Sequence, residues 1–367
     1  MKFIDLGAQY RAYKTDIDAA MQRVVESTMF IQGDEVKSLE NELADYVGVD
    51  HCVSCASGTD ALQLALMALG IGPGDEVVTS PFSFFATAEV ISLLGAKPVF
   101  CDIEGTTYNL DASKLADCIT DRTKAIMPVS IFGQTSDMDR INEIAAARGI
   151  PVIEDGAQSF GAEYKGRKSC GVSAIGCTSF FPTKPLGCYG DGGALFTDDD
   201  DVADRLRVLL NHGQSGRYLH SAIGLNSRLD AIQAAVLRVK LRHLDDELAA
   251  RQSVADRYTS KLSGIDGLKV PAVPADRTCA WAQYSIHVAD RDQFIADLKS
   301  RNVPSSVHYP MPIYRQEVYA TQDWPECPVA EEVSAGIMSL PMYPFMPEQD
   351  VDAACSAIAE ICKGVSV

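Results

Sequence analysis

Apolar residues recur at helical spacing from about residue 10 to 47, and the pattern breaks near Phe30-Ile31-Gln32-Gly33. The chain is therefore expected to open with helices and a loop rather than a strand. A different rhythm begins at His51. Short apolar runs ending in small or polar residues read as strands at His51 to Cys55, Glu76 to Thr79, Pro98 to Asp102, Ala125 to Val129 and Pro151 to Asp155. Helices fall between them: Leu62, Leu66 and Leu69 mark one helix face, a second helix runs near Thr87 to Leu94, and a third ends near Gly149. Strand and helix in alternation imply parallel strands with helical crossovers, an α/β layered domain with its functional residues at the carboxyl ends of the strands.

The rhythm changes around Ser173. Ile175 to Phe181 and Ala194 to Thr197 read as two strands with no helix between them, a hairpin-like insertion in the wound sheet. Asp198 to Asp201 is an acidic run suited to a helix start, where carboxylates meet the positive end of the helix dipole. A long helical pattern is expected from about Asn226, with Leu229, Ile232, Val236 and Val239 at spacings of three and four, carrying the chain out of the first domain. After Pro271 and Pro274, a strand at Tyr284 to Val288 and helices near Asp292 to Arg301 and Val351 to Cys362 outline a smaller α/β unit. The expected division is a large domain over 1–245, with the N-terminal helices, and a small domain over 246–367.

With 367 residues and 47% hydrophobic content, the chain can bury a large core and a smaller one. A net charge of -18 argues against nucleic-acid or anionic-membrane partners, which are held by summed Lys and Arg charge. An anionic small molecule needs only a local basic cluster. The eleven cysteines are scattered through apolar strands and read as reduced, buried thiols. Cys52 and Cys55 form a lone CxxC without a second pair at zinc spacing, so core positions are the expected reading and no metal is expected. The N-terminus lacks a signal pattern and no apolar run approaches a membrane span, which predicts a soluble, cytoplasmic protein.

Five stretches can carry chemistry. Lys184 ends the run Ser179-Phe180-Phe181-Pro182-Thr183-Lys184, and glycines crowd the stretch Gly187 to Gly193 that follows. A lysine at a proline-stiffened corner, followed by small residues, suits Schiff-base chemistry with room for a ligand beside it, although a surface turn would look the same. Ser57-Gly58-Thr59 follows a strand and opens a helix, which can cradle a phosphate or simply cap the helix. Asp155 and Gln158 lie at another strand end, where a carboxylate can hold the proton of a heterocyclic nitrogen or cap a helix. Phe82, Phe84 and Phe85 offer either a stacking face or core packing. Asn226 and Ser227, ahead of Arg228, are equally suited to capping the long helix and to touching a ligand.

Taken together with His308-Tyr309-Pro310, these runs resemble the DegT/DnrJ/EryC1/StrS family of nucleotide-sugar aminotransferases over nearly the whole chain. The resemblance implies the fold type I aminotransferase architecture, with a mostly parallel seven-stranded sheet domain, a small C-terminal domain and a homodimer with shared active sites. It implies pyridoxal 5'-phosphate as cofactor, in Schiff-base linkage to the catalytic Lys184. Asp155 would bind the ring nitrogen, Gln158 would lie near the ring hydroxyl, and Phe84 would stack on the ring. Ser57, Gly58, Thr59 and Ser179 would hold the phosphate, with Asn226 reaching it from the other subunit. Arg228, His308 and Tyr309 are the implied contacts to an anionic nucleotide sugar, as sources of positive and hydroxyl donors.

Within the family the chain looks closest to enzymes that aminate UDP-2-acetamido-2-deoxy-3-oxo-glucuronate with L-glutamate, for bacterial surface polysaccharide such as O-antigen. Other 3-keto or 4-keto UDP or dTDP sugars are the alternative substrates. A sugar dehydratase of the same family would carry histidine where this chain has Lys184. A non-catalytic regulator or scaffold on the same fold is the rival of another class.

Overall fold

The computed structural model describes residues 1–364. Two N-terminal helices, Leu6–Ser27 and Asp34–Val47, precede the first strand, His51–Cys55. Seven strands then build one sheet. Their spatial order is Lys97–Phe100, Glu76–Thr79, Thr123–Met127, Ile153–Asp155, Ile175–Ser179, Gly193–Thr197 and His51–Cys55. Parallel bridges from Ile126 to Val152 and from Val129 to Asp155 join its two halves.

Gly193–Thr197 alone runs antiparallel, against both Ile175–Ser179 and His51–Cys55. The expected hairpin is thus present, and it occupies the interior of the sheet. Its consequence is geometric: the turn between the two strands, which holds Lys184, lies at the carboxyl end of the parallel strands. Ser179, Asp155 and the residues after Cys55 and Thr79 emerge at the same end. Interior strands are apolar on both faces, since helices cover both sides; all four residues of Glu76–Thr79 are buried, with Glu76 held by Arg122 and Thr120.

Cys52 and Cys55 sit on opposite faces of their strand, in two separate cores, so they cannot chelate one ion. The acidic run behaves as expected: Asp199 caps the helix Asp200–Leu209 by accepting the Val202 N–H at 3.0 Å, while Asp198 accepts from Asp50 N–H at 2.9 Å.

The long helix departs from expectation. It begins at Ala231 rather than near Asn226, with Asp230 at its N-cap. Asn226 instead forms an antiparallel bridge with Asn211, and the Ser227 N–H donates to Leu210 O at 2.9 Å. With Asp230 in the N-cap place, neither Asn226 nor Ser227 caps that helix. The helix also stops at Leu241, and a second one, Leu244–Leu262, follows.

That second helix packs against a three-stranded antiparallel sheet of Leu268–Lys269, Tyr284–Val288 and Ile337–Leu340, with Arg291–Ser300 and Glu348–Gly364 nearby. Tyr258, Trp281, Tyr284, Ile286, Leu298 and Met338 share its core. A further core joins Phe82, Phe100 and Phe132 of the large sheet region to Tyr314, Tyr319 and Val333, which ties the C-terminal third of the chain to the strand ends.

Candidate active site

A cavity of about 490 Å³ opens at the carboxyl end of the sheet. Lys184, Asp155, Gln158, Ser57, Gly58, Thr59, Phe84, Ser179, His308 and Tyr309 all line it. Ten residues spread over more than 250 positions of sequence thus meet in one place. Asn226 and Arg228 do not.

The wall formed by Ser57, Gly58 and Ser179 is built by close backbone approach. Ser57 caps the helix Gly58–Ala68, its Oγ accepting the Asp60 N–H at 3.0 Å, so the capping role is real and the helix N-terminus faces the cavity. A Cβ on Gly58 would stand 2.5 Å from Ser179 Cβ, and one on Gly193 would stand 2.4 Å from Ser57 O. Only glycine lets the helix start, the end of Ile175–Ser179 and the start of Gly193–Thr197 converge. The glycines after Lys184 therefore have a different purpose from the one expected. A Cβ on Gly187 would meet Pro182 O at 2.6 Å and one on Gly192 would meet Leu229 Cδ1 at 3.0 Å, and neither glycine lines the cavity. They make room for the protein's own atoms, not for a ligand.

Asp155, also on the cavity wall, is buried. Its Oδ2 accepts from Thr87 Oγ1 at 2.8 Å and its Oδ1 accepts from Ala157 N–H at 3.2 Å. Burial pushes its carboxyl up, opposed by the Thr87 and Ala157 hydrogen bonds and by the attraction of Lys184. A carboxylate so placed gains from a cationic partner within the cavity, and a protonated pyridine nitrogen is such a partner. Burial lowers Lys184 to about 8, with Asp155 pulling the other way, which makes the free amine far more accessible near neutral pH than in an ordinary lysine.

Gln158 is fixed from both sides: Oε1 accepts the Phe132 N–H at 2.8 Å and Nε2 donates to Tyr309 Oη at 3.2 Å. The three phenylalanines separate. Phe82 is fully buried, Phe85 packs at the edge of the core, and Phe84 stays 58% exposed at the cavity with Tyr309 tilted beside it at 6.3 Å. An exposed ring among cavity walls has an unused face.

His308 differs from expectation in charge. Burial and the nearby Lys184 lower it to about 4, and its Nδ1 lies 2.9 Å from Ser339 Oγ. It is neutral at physiological pH and offers hydrogen bonding only. Burial likewise raises the Tyr309 hydroxyl, keeping it a neutral donor.

Arg228 was expected to contact substrate, and the structure sets it elsewhere. It lines a second cavity with Lys37, Glu40 and Arg207, and its Nη1 donates to Asn211 Oδ1 at 2.7 Å. Asn226 is exposed nearby. Within one chain, Lys184 is thus the one cationic side chain among the described residues of the Lys184 cavity. Sequence reasoning missed Thr87, Ser83, Thr183, Asp191 and Gln283, which also line it. Ser83 and Thr87 lie within and just after the phenylalanine stretch, and Thr183 and Asp191 lie in the stretches beside Lys184, so position gave a signal for these four; Gln283 had none.

The family model for DegT/DnrJ/EryC1/StrS aminotransferases matches residues 12–359. The chain belongs to that family. The aminotransferase is 50% identical to the UDP-2-acetamido-2-deoxy-3-oxo-D-glucuronate aminotransferase of Pseudomonas aeruginosa, over 98% of this chain and 99% of the relative. It is 42% identical to a protein of Geobacillus stearothermophilus named a pleiotropic regulatory protein, over 97% of each chain. In structure it resembles DesV of S. venezuelae, solved in complex with a ketimine intermediate, with a TM-score of 0.97 and 38% identity over 99% of this chain and 98% of that one. Aminotransferases of this family depend on pyridoxal phosphate. The donor set described above fits that cofactor: a helix N-terminus with hydroxyls for the phosphate, a buried carboxylate for the ring nitrogen and a lysine of lowered basicity between them.

Proposed function

We propose that the aminotransferase moves an amino group from L-glutamate to the keto group of UDP-2-acetamido-2-deoxy-3-oxo-glucuronate, a step toward surface polysaccharide such as O-antigen. The observation that carries this reading is 50% identity across 98% of the chain to an enzyme named for that substrate, together with a cavity that gathers Lys184, Asp155 and Gln158.

Bound pyridoxal phosphate supplies the electron sink that stabilises negative charge on the carbon losing its proton. Lys184 is the catalytic residue. It holds the cofactor, and its freed amine, poised near neutral pH, takes the proton from the donor's alpha carbon and returns one during amination of the sugar. Asp155 keeps the ring nitrogen protonated, with Thr87 fixing its orientation. Gln158 would lie beside the ring hydroxyl and Phe84 would stack on the ring. Ser57, Gly58, Thr59 and Ser179 hold the phosphate. His308 and Tyr309 would hydrogen-bond the sugar within the cavity.

Arg228 and Asn226 act across a homodimer interface in this reading. An anionic nucleotide needs cations, and Lys184 is occupied with chemistry, so positive charge must come from a second chain. Exposed apolar side chains support such an interface: Phe30 and Ile31 before the second helix, and Tyr218, Leu219 and Ile223 on the protruding hairpin just ahead of Asn226. We divide the protein into a cofactor unit at 1–245 and a smaller unit at 246–367. Eleven free thiols support a cytoplasmic, reducing location, and no described helix is long and apolar enough to cross a membrane.

The test is incubation with L-glutamate and a panel of 3-keto and 4-keto UDP and dTDP sugars, with the product identified by mass and NMR. A 3-amino-glucuronate product bears the reading out, and amination of another sugar alone would replace the substrate. The name of the Geobacillus relative favours a second reading, a regulator without turnover. Absence of any glutamate-dependent product across the panel would favour it.

A further inference from the structure

Gln283 precedes the strand Tyr284–Val288 and lines the cavity beside Lys184, His308 and Tyr309. Its side-chain Oε1 is buried with no hydrogen-bond partner. Six buried side-chain polar atoms are left in that condition among the described residues, and Gln283 Oε1 is the one that belongs to a residue of this cavity. Buried polar groups are almost always paired, so an orphan in a ligand cavity points to a ligand atom.

The backbone that carries Gln283 is pinned. Ala280 N–H donates to Gly133 O at 2.7 Å, and Arg251 Nη1 donates to Trp281 O at 3.0 Å. Trp281 Nε1 donates to Gln252 Oε1 at 2.7 Å. Gly133 packs so tightly here that a Cβ on it would lie 2.6 Å from Trp281 N. The neighbouring Phe132 N–H is the group that holds Gln158. One short loop therefore fixes Gln158 and the approach to Gln283 together, which is the rigid support that a discriminating contact needs.

We propose that Gln283 is a specificity residue whose carboxamide hydrogen-bonds a neutral substituent, hydroxyl or acetamido, on the ring of the acceptor sugar. The inference rests on the nucleotide-sugar reading above. A hydroxyl or an amide meets a carboxamide in either orientation, because each offers a donor and an acceptor. Carboxylates of the amino donor and the diphosphate are charged acceptors, which call for cations instead. A site built to pair a neutral polar group also rejects sugars that lack it, since the carboxamide is then left unpaired.

The experiment compares holoenzyme with Gln283→Leu and Gln283→Met, in two half reactions followed by absorbance and in calorimetric titrations with UDP-N-acetylglucosamine and UDP. Both variants should show roughly a tenfold or larger rise in KM for the keto sugar and in Kd for UDP-N-acetylglucosamine. The loss should be confined to those readouts, leaving UDP affinity and the glutamate half reaction behind. Equal losses with UDP or glutamate would make the residue merely structural and overturn the proposal. Wild-type sugar affinity in both variants would overturn it as well, with the aminotransferase reading intact. Failure of the wild-type enzyme to aminate any keto nucleotide sugar would overturn both readings at once.

Discussion

Thr87 Oγ1 donates to Asp155 Oδ2 at 2.8 Å, joining the first turn of the helix Ala86–Leu93 to the carboxyl end of the strand Ile153–Asp155. This contact favours the ionised carboxylate against burial, which favours the protonated one. Thr87→Val keeps the shape and removes the donor. It should cost about 1 kcal/mol of stability and raise the Asp155 pKa further, so that the ring nitrogen is held less well. Thermal unfolding and cofactor retention on dialysis should both fall, and unchanged retention would show that Asp155 does not depend on Thr87.

Lys184 sets a pH dependence whose sign follows from its causes. Burial penalises the ammonium and brings its pKa from 10.5 to about 8, while Asp155 attracts the charge and opposes that fall. The neutral amine is the reactive form, so cofactor uptake by the apoprotein should rise with pH through about 8 and then level off. Asp155→Asn removes the attraction and should move the midpoint lower. Stopped-flow uptake measured from pH 6 to 10 checks both, and a rate still climbing at pH 10 with no plateau would mean Lys184 is solvated.

Gly58 is a packing glycine. Its added Cβ would stand 2.5 Å from Ser179 Cβ, a distance that forces the strand end and the helix start apart. Gly58→Ala should destabilise the protein by about 1–3 kcal/mol and weaken phosphate and cofactor binding together. Calorimetry with pyridoxal phosphate and with inorganic phosphate measures the two effects.

Shared active sites predict complementation. If Lys184 of one subunit works with Asn226 of the partner subunit, a mixed dimer of Lys184→Ala and Asn226→Ala chains has one wild-type site and one doubly altered site. Cofactor affinity at one of the two sites of each mixed dimer should return to the wild-type value. No site tighter than the Asn226→Ala homodimer would contradict the shared arrangement.

How far the sequence reached can be judged from these residues. Strand and helix alternation, the hairpin ahead of the acidic run, and the strand-end positions of Lys184, Asp155, Gln158, Ser57, Ser179 and Phe84 were legible, because strand-end position in an α/β sheet is set by local pattern; His308 and Tyr309 came only with the family resemblance, since no local pattern marks their loop. The start of the long helix was not. The periodicity from Leu229 onward is genuine, but Asn226 and Ser227 are drawn into extended pairing with Asn211 and Leu210, a tertiary contact that no spacing announces. The meaning of the glycines was hidden for the same reason: Gly187 and Gly192 answer to Pro182 and Leu229. The neutral state of His308 comes from burial. Gln283 lies in a segment whose place in the cavity depends on Gly133 and Arg251, both distant in sequence.

The central claim is that Lys184 is the lysine that carries the cofactor. A second buried lysine, Lys240, is also lowered to about 8, but its Nζ donates to Gly187 O at 2.5 Å and lies over the Tyr189 ring, outside the cavity walls. Borohydride reduction of the holoenzyme followed by peptide mass spectrometry distinguishes the two. The cofactor mass should appear on the peptide containing Lys184 and vanish in Lys184→Ala; a label on Lys240, or on any lysine in the Lys184→Ala variant, would contradict the account.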